Sequence, residues 1–297
     1  MSSVNIANQI KFLTQMTILP SELVSIVLSY SLDYSKKSDL RTFCECIKDR
    51  KWPSGLKAVL TNCTHDNKVY VWVESCSLGD LESCRWLSDK VHLSSYDVLN
   101  GFHRACRDGH LDTAKWLTQT FRLTSQEAKS KCNYAFRVAS GYGHLHVAEW
   151  LTETFQLTPQ DAKSYSNYAL KMSCIQGHLD TAKWLTRTFA LTDQDAKSDN
   201  NYALRLTCEC GHLHVAEWLT KTFGLTPQDA KSCSNYALKM SCIQGHLDTA
   251  KWLVKTFALT SEDVRALHTY ALRYALQSGH LNVSQWLTAK FGLRLCA

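Results

Sequence analysis

The chain has no run of eighteen uninterrupted apolar residues, so no transmembrane helix is expected. Its longest apolar patches, such as Leu23 to Leu28, are short and broken by serine. No basic-then-apolar leader follows Met1, and the 13 cysteines are odd in number, which argues against a secreted disulfide framework. Reduced thiols in the cytoplasm or nucleus are the expectation. Three catalytic signatures are also missing: His-Glu-x-x-His, Gly-x-Ser-x-Gly and the glycine-rich phosphate loop, so an enzyme is not expected. The formal charge of +6 is modest and acids are mixed through every segment, so nucleic acid is not an expected partner.

Against these absences stand nine Trp, thirteen Cys and twelve His. Most of them belong to a repeat. Gly-His occurs at Gly109, Gly143, Gly177, Gly211, Gly245 and Gly279, at intervals of 34, and a tryptophan follows each glycine by seven: Trp116, Trp150, Trp184, Trp218, Trp252 and Trp286. A divergent earlier unit carries Gly79 and Trp86. Within residues 157–190, Asn167 to Gln176 has apolar and small residues suited to a helix packed on both sides, and Gly177 ends it. Leu179, Ala182, Trp184, Leu185 and Phe189 mark a second, antiparallel helix. Thr158-Pro159-Gln160-Asp161 and Thr226-Pro227-Gln228-Asp229 read as helix starts, with Asp in the capping-box position. Each unit is therefore two main helices and a short helical connector, and neighbouring units must stack to bury their apolar faces. The tryptophans in register are expected to form an aromatic spine, each contributing at most about 4–6 kcal/mol.

Residues 157–185 and 225–253 differ only at Tyr165 and Cys233. In the second helices Lys115, Glu149, Lys183, Glu217 and Lys251 alternate in sign, as do Asp112, His146, Asp180, His214 and Asp248 in character. Such series read either as charge ladders between units or as solvated surface. Cys-x-x-x-His recurs at Cys106/His110, Cys174/His178 and Cys242/His246, but each motif offers two ligands where zinc needs four, and Ser140 and Leu276 stand in the cysteine's place elsewhere. Packing is the favoured reading, with no metal and no cofactor.

The segment Leu170 to His178, and still more Phe136 to His144, resembles the ankyrin repeat over roughly residues 66–297. Tyr168-Ala169 stands where that family has Thr-Pro, and its hairpin is replaced by Phe-x-Leu-Thr-x-x-Asp-Ala. The fold expected is all-α: an ankyrin-like helical solenoid of about seven 34-residue repeats (residues 61–297) behind a small N-terminal segment (residues 1–60). In that segment Leu19, Pro20, Leu23, Ile26 and Val27 belong to a helix from Leu19 to Tyr30, Pro20 at its start and the other four on one stripe with Tyr30, and a second helix is expected from Asp39 to Trp52. The pattern is similar to an F-box, a resemblance that implies docking of a Skp-type adaptor of a cullin–RING ubiquitin ligase through those five residues. The alternative is a helical cap on the solenoid end. The combination also resembles the ankyrin proteins of large DNA viruses of amoebae, which implies a host-cell location.

The ankyrin resemblance implies a protein target in a groove formed by the first helices and the segments before them. The positions that vary most between units are candidates: Arg107, Asp108, Lys131, Tyr142, Tyr165, Gln176, Asp199, Glu209 and Gln244. Arg137, Lys171, Arg205, Lys239 and Arg273 add one cation per unit, either a groove for an acidic peptide or solvated surface. The expected function is a non-catalytic, monomeric protein–protein interaction adaptor, either coupled to a ubiquitin ligase or a stand-alone scaffold.

Overall fold

A computed structural model describes residues 63–265 and 270–293, together with Lys37, Leu40, Arg41 and Cys44. The chain divides into two compact units at Ser130/Lys131. This division falls inside the repeats. All regular elements among the described residues are helices.

In the first unit α1 (His65–Leu78) and α2 (Leu81–Ser88) form the divergent repeat, α3 (Ser95–Arg107) and α4 (Leu111–Phe121) the next, and α5 (Ser125–Ala128) a connector. Trp72 of α1 is fully buried with Val71, Cys76, Phe102, Ala105 and Leu117. Its indole N–H donates to the carbonyl of Cys84 at 3.1 Å, which satisfies the one polar atom that burial would otherwise orphan. A Cβ at Gly101 would lie 2.7 Å from the Trp72 ring, so only glycine lets α3 approach α1 this closely. Leu40 and Cys44 are buried, and Arg41 reaches Glu74 of α1 at 3.4 Å. Parts of the expected second N-terminal helix thus pack on the first repeat, as a cap would.

The second unit repeats one design. First helices α6 (Ser130–Gly141, described here from Lys131), α9 (Ser164–Ile175), α12 (Ser198–Glu209), α15 (Ser232–Ile243) and α18 (Tyr270–Gln277) alternate with second helices. These are α7 (Leu145–Phe155), α10 (Leu179–Thr188), α13 (Leu213–Phe223), α16 (Leu247–Thr256) and α19 (Leu281–Phe291). The connectors are α8 (Pro159–Ala162), α11 (Asp193–Ala196), α14 (Pro227–Ala230) and α17 (Ser261–Arg265). The expected helical repeat is what forms, and each tryptophan of the series lies in a second helix.

Local chemistry sets the helix boundaries. The hydroxyl of Thr158 accepts from the Asp161 N–H at 3.3 Å while the Asp161 carboxylate accepts from the Thr158 N–H at 2.9 Å. Thr226 and Asp229 reproduce this reciprocal box. Gly177 adopts φ +82°, its N–H donating to Cys174 O and the next N–H, of His178, to Ser173 O, so two orphan carbonyls of α9 are satisfied. Glycine is required there for a second reason: a Cβ at Gly177 would lie 2.7 Å from Nδ1 of His212 in the next repeat. The turns at Gly143, Gly177, Gly211 and Gly245 thus each seat the following turn's imidazole.

The tryptophans depart from expectation. All seven are only half-buried, outside a core made of Ala182, Leu185, Phe189 and their equivalents. Six of the rings, all but Trp86, pack edge-on to the phenylalanine five residues on, as Trp184 does with Phe189 at 5.8 Å. The expected 4–6 kcal/mol bound therefore overstates them, because the indole keeps a face in water. Lys183, Glu217 and Lys251 also form no ion pair with one another. Charge contacts between repeats lie instead on the connectors, Lys163–Asp195 at 2.8 Å, Lys197–Asp229 at 3.6 Å and Lys231–Asp263 at 2.7 Å, and at Lys171–Asp199 at the start of the first helix α12. Outer-face residues of stacked second helices point to solvent, whereas the connectors are close enough to bridge.

Candidate functional site

The five N-terminal residues, Leu19, Pro20, Leu23, Ile26 and Val27, lie outside the described residues. Arg107 and Asp108 belong to the first unit and satisfy each other, with Arg107 Nε 2.8 Å from Asp108 Oδ1 and the Ser77 hydroxyl donating to the other carboxylate oxygen. Burial pushes the Asp108 carboxyl up, but these hydrogen bonds outweigh it and its pKa is lowered. The pair is a fixed structural contact at the end of α3.

In the second unit the remaining candidates lie at the two ends of the first helices, Lys131, Tyr165 and Asp199 at the start and Tyr142, Gln176, Glu209 and Gln244 at the finish. Lys131, Tyr165 and Asp199 each begin a run of three consecutive left-handed residues joining connector to first helix: Lys131-Cys132-Asn133, Tyr165-Ser166-Asn167 and Asp199-Asn200-Asn201. Cys233-Ser234-Asn235 is the fourth. L-residues resist this conformation by about 1–2 kcal/mol each, asparagine least, so something must hold it. The third residue is asparagine every time and is buried. Its N–H donates back to the connector lysine, as Asn167 does to Lys163 O at 3.0 Å. In three of the four the side-chain amide reaches the next connector: Asn133 to Asp161 at 3.1 Å, Asn201 to Asp229 at 3.2 Å and Asn235 to the Asp263 carbonyl at 3.1 Å. The turn exposes the first residue, and Tyr165 is 66% exposed.

The basic row is only partly solvated: Arg273 is exposed, Arg205 and Lys239 are half-buried, and Arg137 and Lys171 are buried. Arg137 is buried, its guanidinium donating to the carbonyls of Cys132 (2.7 Å) and Lys131 (3.1 Å) inside the left-handed turn. Arg205 does the same with Asn200 and Asp199. Lys171 is buried and ion-paired with Asp199. Between the cations runs a row of tyrosines that the sequence reading passed over: Tyr134, Tyr168, Tyr202, Tyr236 and Tyr270. Each stands three residues before a cation, a spacing that sets both on one helix face. Arg137 lies 4.5 Å from the Tyr165 ring centroid and 4.9 Å from that of Tyr168; Arg205 lies 5.0 Å from Tyr236. Cation and ring alternate through the unit, within cation–π range. The signal was present, as a second 34-residue series.

Glu209 accepts the Tyr236 hydroxyl at 2.8 Å, and the Tyr236 phenol is pushed up by burial and by this carboxylate. Tyr142, Gln176 and Gln244 are exposed at the ends of their first helices. Tyr165, Ser166, Tyr168, Lys171, Met172, Asp199 and Tyr202 line a concavity of ≈ 280 Å³. The structure therefore brings Tyr165 and Asp199 together around Lys171, while Tyr142, Gln176, Glu209 and Gln244 lie outside that lining. The cysteines and histidines of Cys-x-x-x-His part ways: Cys174 is fully buried, its thiol pushed up by burial, and the His178 ring packs over Gly143.

Among solved structures the chain is similar to an ankyrin repeat family protein from Legionella pneumophila, with 17% identity over 88% of this chain and 82% of that one and a TM-score of 0.42. At that score the likeness carries no functional weight. No protein-family model matches the chain, and no curated protein matches it.

Proposed function

We propose that the protein is a non-catalytic interaction module whose second unit binds a protein partner along the tyrosine–cation face. One observation carries this: aromatic rings there stay in water despite neighbours that could cover them, Tyr165 at 66%, Tyr142 at 48% and Tyr202 at 37% exposure. Tyrosine and arginine are the residues that most often supply binding energy at interfaces. The first residue of each left-handed turn differs between repeats (Lys131, Tyr165, Asp199, Cys233), giving one scaffold four different contacts. A photoreactive residue at position 165 should cross-link a partner in extracts of the native cell, while one at Arg187, exposed on the second helix α10, should not. Cross-linking from 187 alone would move the binding face to the outer helices.

The coupling to a Skp-type adaptor rests on the sequence Leu19 to Tyr30. In this reading the protein works as a monomer in the cytoplasm or nucleus, that of a host cell if the viral resemblance holds. The purified adaptor should be retained by the full chain and released by Leu23→Asp with Ile26→Asp. Failure of the unmutated chain to retain it would leave the segment as a cap.

A further inference from the structure

The two copies of the duplicated segment place the same lysine, Lys171 and Lys239, at the same point of the first helix, yet in different surroundings. The Lys171 side chain is 6% exposed and holds Asp199 of the next repeat as its counter-ion. Lys239 is half-buried between two rings, 5.6 Å from the Tyr236 centroid and 5.7 Å from that of Tyr270, and among the described residues no carboxylate pairs with it. The residue 68 positions after Asp199 is Leu267, and none of residues 265–269 is Asp or Glu. Arg205 shares the Tyr236 ring with Lys239 and Arg273 shares Tyr270, so three cations stand in a row. The one acid bound to these tyrosines, Glu209, is held by the Tyr236 hydroxyl.

An ammonium flanked by rings has lost part of its water, and an opposite charge reaching it there is screened less than on open surface. In the earlier copy the chain fills that place from within. In the later copy no described residue does.

We propose that Lys239, between Tyr236 and Tyr270, anchors an aspartate or glutamate side chain of an acidic partner segment, and that Asp199 blocks the equivalent anchor at Lys171. The inference rests on the tyrosine–cation face being a protein-binding surface. It names the chemistry recognised there and its position. Duplication supplied two anchors, and Asp199 closes the first of them.

The test titrates the full chain, labelled with ¹³C at lysine, with hexaglutamate while following the lysine Cε–Hε signals. The Lys239 signal should move saturably and that of Lys171 should not. Lys239→Gln, which keeps the aliphatic stem, should weaken binding about fivefold, the upper range for one partly exposed charge pair. Asp199→Leu should open the blocked anchor, so that Lys171 now responds; this arm decides the matter even if Lys239→Gln fails to fold. Equal movement of every lysine would overturn the proposal, as would binding of a phosphoserine peptide by a chain that ignores hexaglutamate. A partner cross-linked at position 165 while hexaglutamate leaves Lys239 unmoved would keep the binding face and remove the acidic anchor. No cross-link at 165 would remove the face itself.

Discussion

Gly177→Ala offers a sharp test of how the repeats are joined. Two costs meet at this position. Gly177 holds φ +82°, where a Cβ costs about 1–2 kcal/mol. That Cβ would also lie 2.7 Å from Nδ1 and 2.8 Å from Cε1 of His212, closer than real contacts allow, so the imidazole must leave its seat. Overpacking of this kind costs about 1–3 kcal/mol, for a sum of roughly 2–5 kcal/mol. Gly224 is the control: it too is left-handed, at φ +58°, but nothing lies within 4 Å of its Cβ position. Arg122, Gln156, Ala190 and Ala258 adopt the corresponding conformation without glycine. Gly224→Ala should therefore cost no more than the backbone share, about 1–2 kcal/mol. Urea unfolding of both variants gives the comparison, and His212→Ala combined with Gly177→Ala completes a cycle. The cycle should show that removing the imidazole recovers at least about 1 kcal/mol of the Gly177→Ala loss. If Gly177→Ala and Gly224→Ala were equally destabilising, and the cycle additive, the seating of histidine on glycine would have no energetic role.

Further outcomes are expected at other positions. Leu185→Ala, at a fully buried site, should cost about 2–5 kcal/mol and match or exceed Trp184→Ala, although the latter removes more atoms. Thermal melts would reverse this order if the tryptophans were core. Burial pushes the His178 and His212 imidazoles down, His212 further through His214, His178 and His246. Because the unfolded chain then binds protons more readily, the melting temperature should hold level above about pH 6.5 and fall below it. The Asp263 carboxyl, held down by Lys231 and Thr260, contributes stability that is present above about pH 4 and lost as pH falls through its folded value. A double-mutant cycle should give a coupling of about 0.2–1 kcal/mol for Lys231 with Asp263 and none for Lys183 with Glu217. Arg137→Lys should destabilise by about 1–3 kcal/mol by urea titration, since an ammonium cannot serve both carbonyls of the left-handed turn while lying on the Tyr165 and Tyr168 rings.

Much of the fold was legible because it rests on local signals repeated many times. Gly177 and its equivalents end helices through their own backbone freedom, and Thr158 with Asp161 caps a helix across three residues. Neither depends on distant partners. The tryptophans were misjudged because hydrophobic spacing gives the direction of a side chain along its helix, not how deeply neighbouring helices cover it. The Lys183/Glu217 series failed for a related reason: alternation in sequence becomes a contact only if stacking brings the tips together. Tyr165 and Asp199 were picked out by their variation between repeats, and the structure places them around Lys171 in one concavity. Both readings of the Arg137 row, acidic-peptide groove or solvated surface, left out its burial, because composition does not reveal that a buried guanidinium has carbonyls waiting for it.

Helix identity, the 34-residue period, the caps and the interdependence of neighbouring repeats follow from the residues alone, since each is a short-range property of backbone and side chain. Three consecutive left-handed residues before the first helices could not be read that way, because their local energies oppose it. They exist because Asn133, Asn201 and Asn235 reach the next connector and Arg137 and Arg205 hold the exposed carbonyls. Which lysine keeps a counter-ion was settled in the same way. Residues 157–185 and 225–253 are the same but for one position, yet Lys171 is neutralised by Asp199 while no described carboxylate pairs with Lys239, because the counter-ion of Lys171 comes from the next repeat.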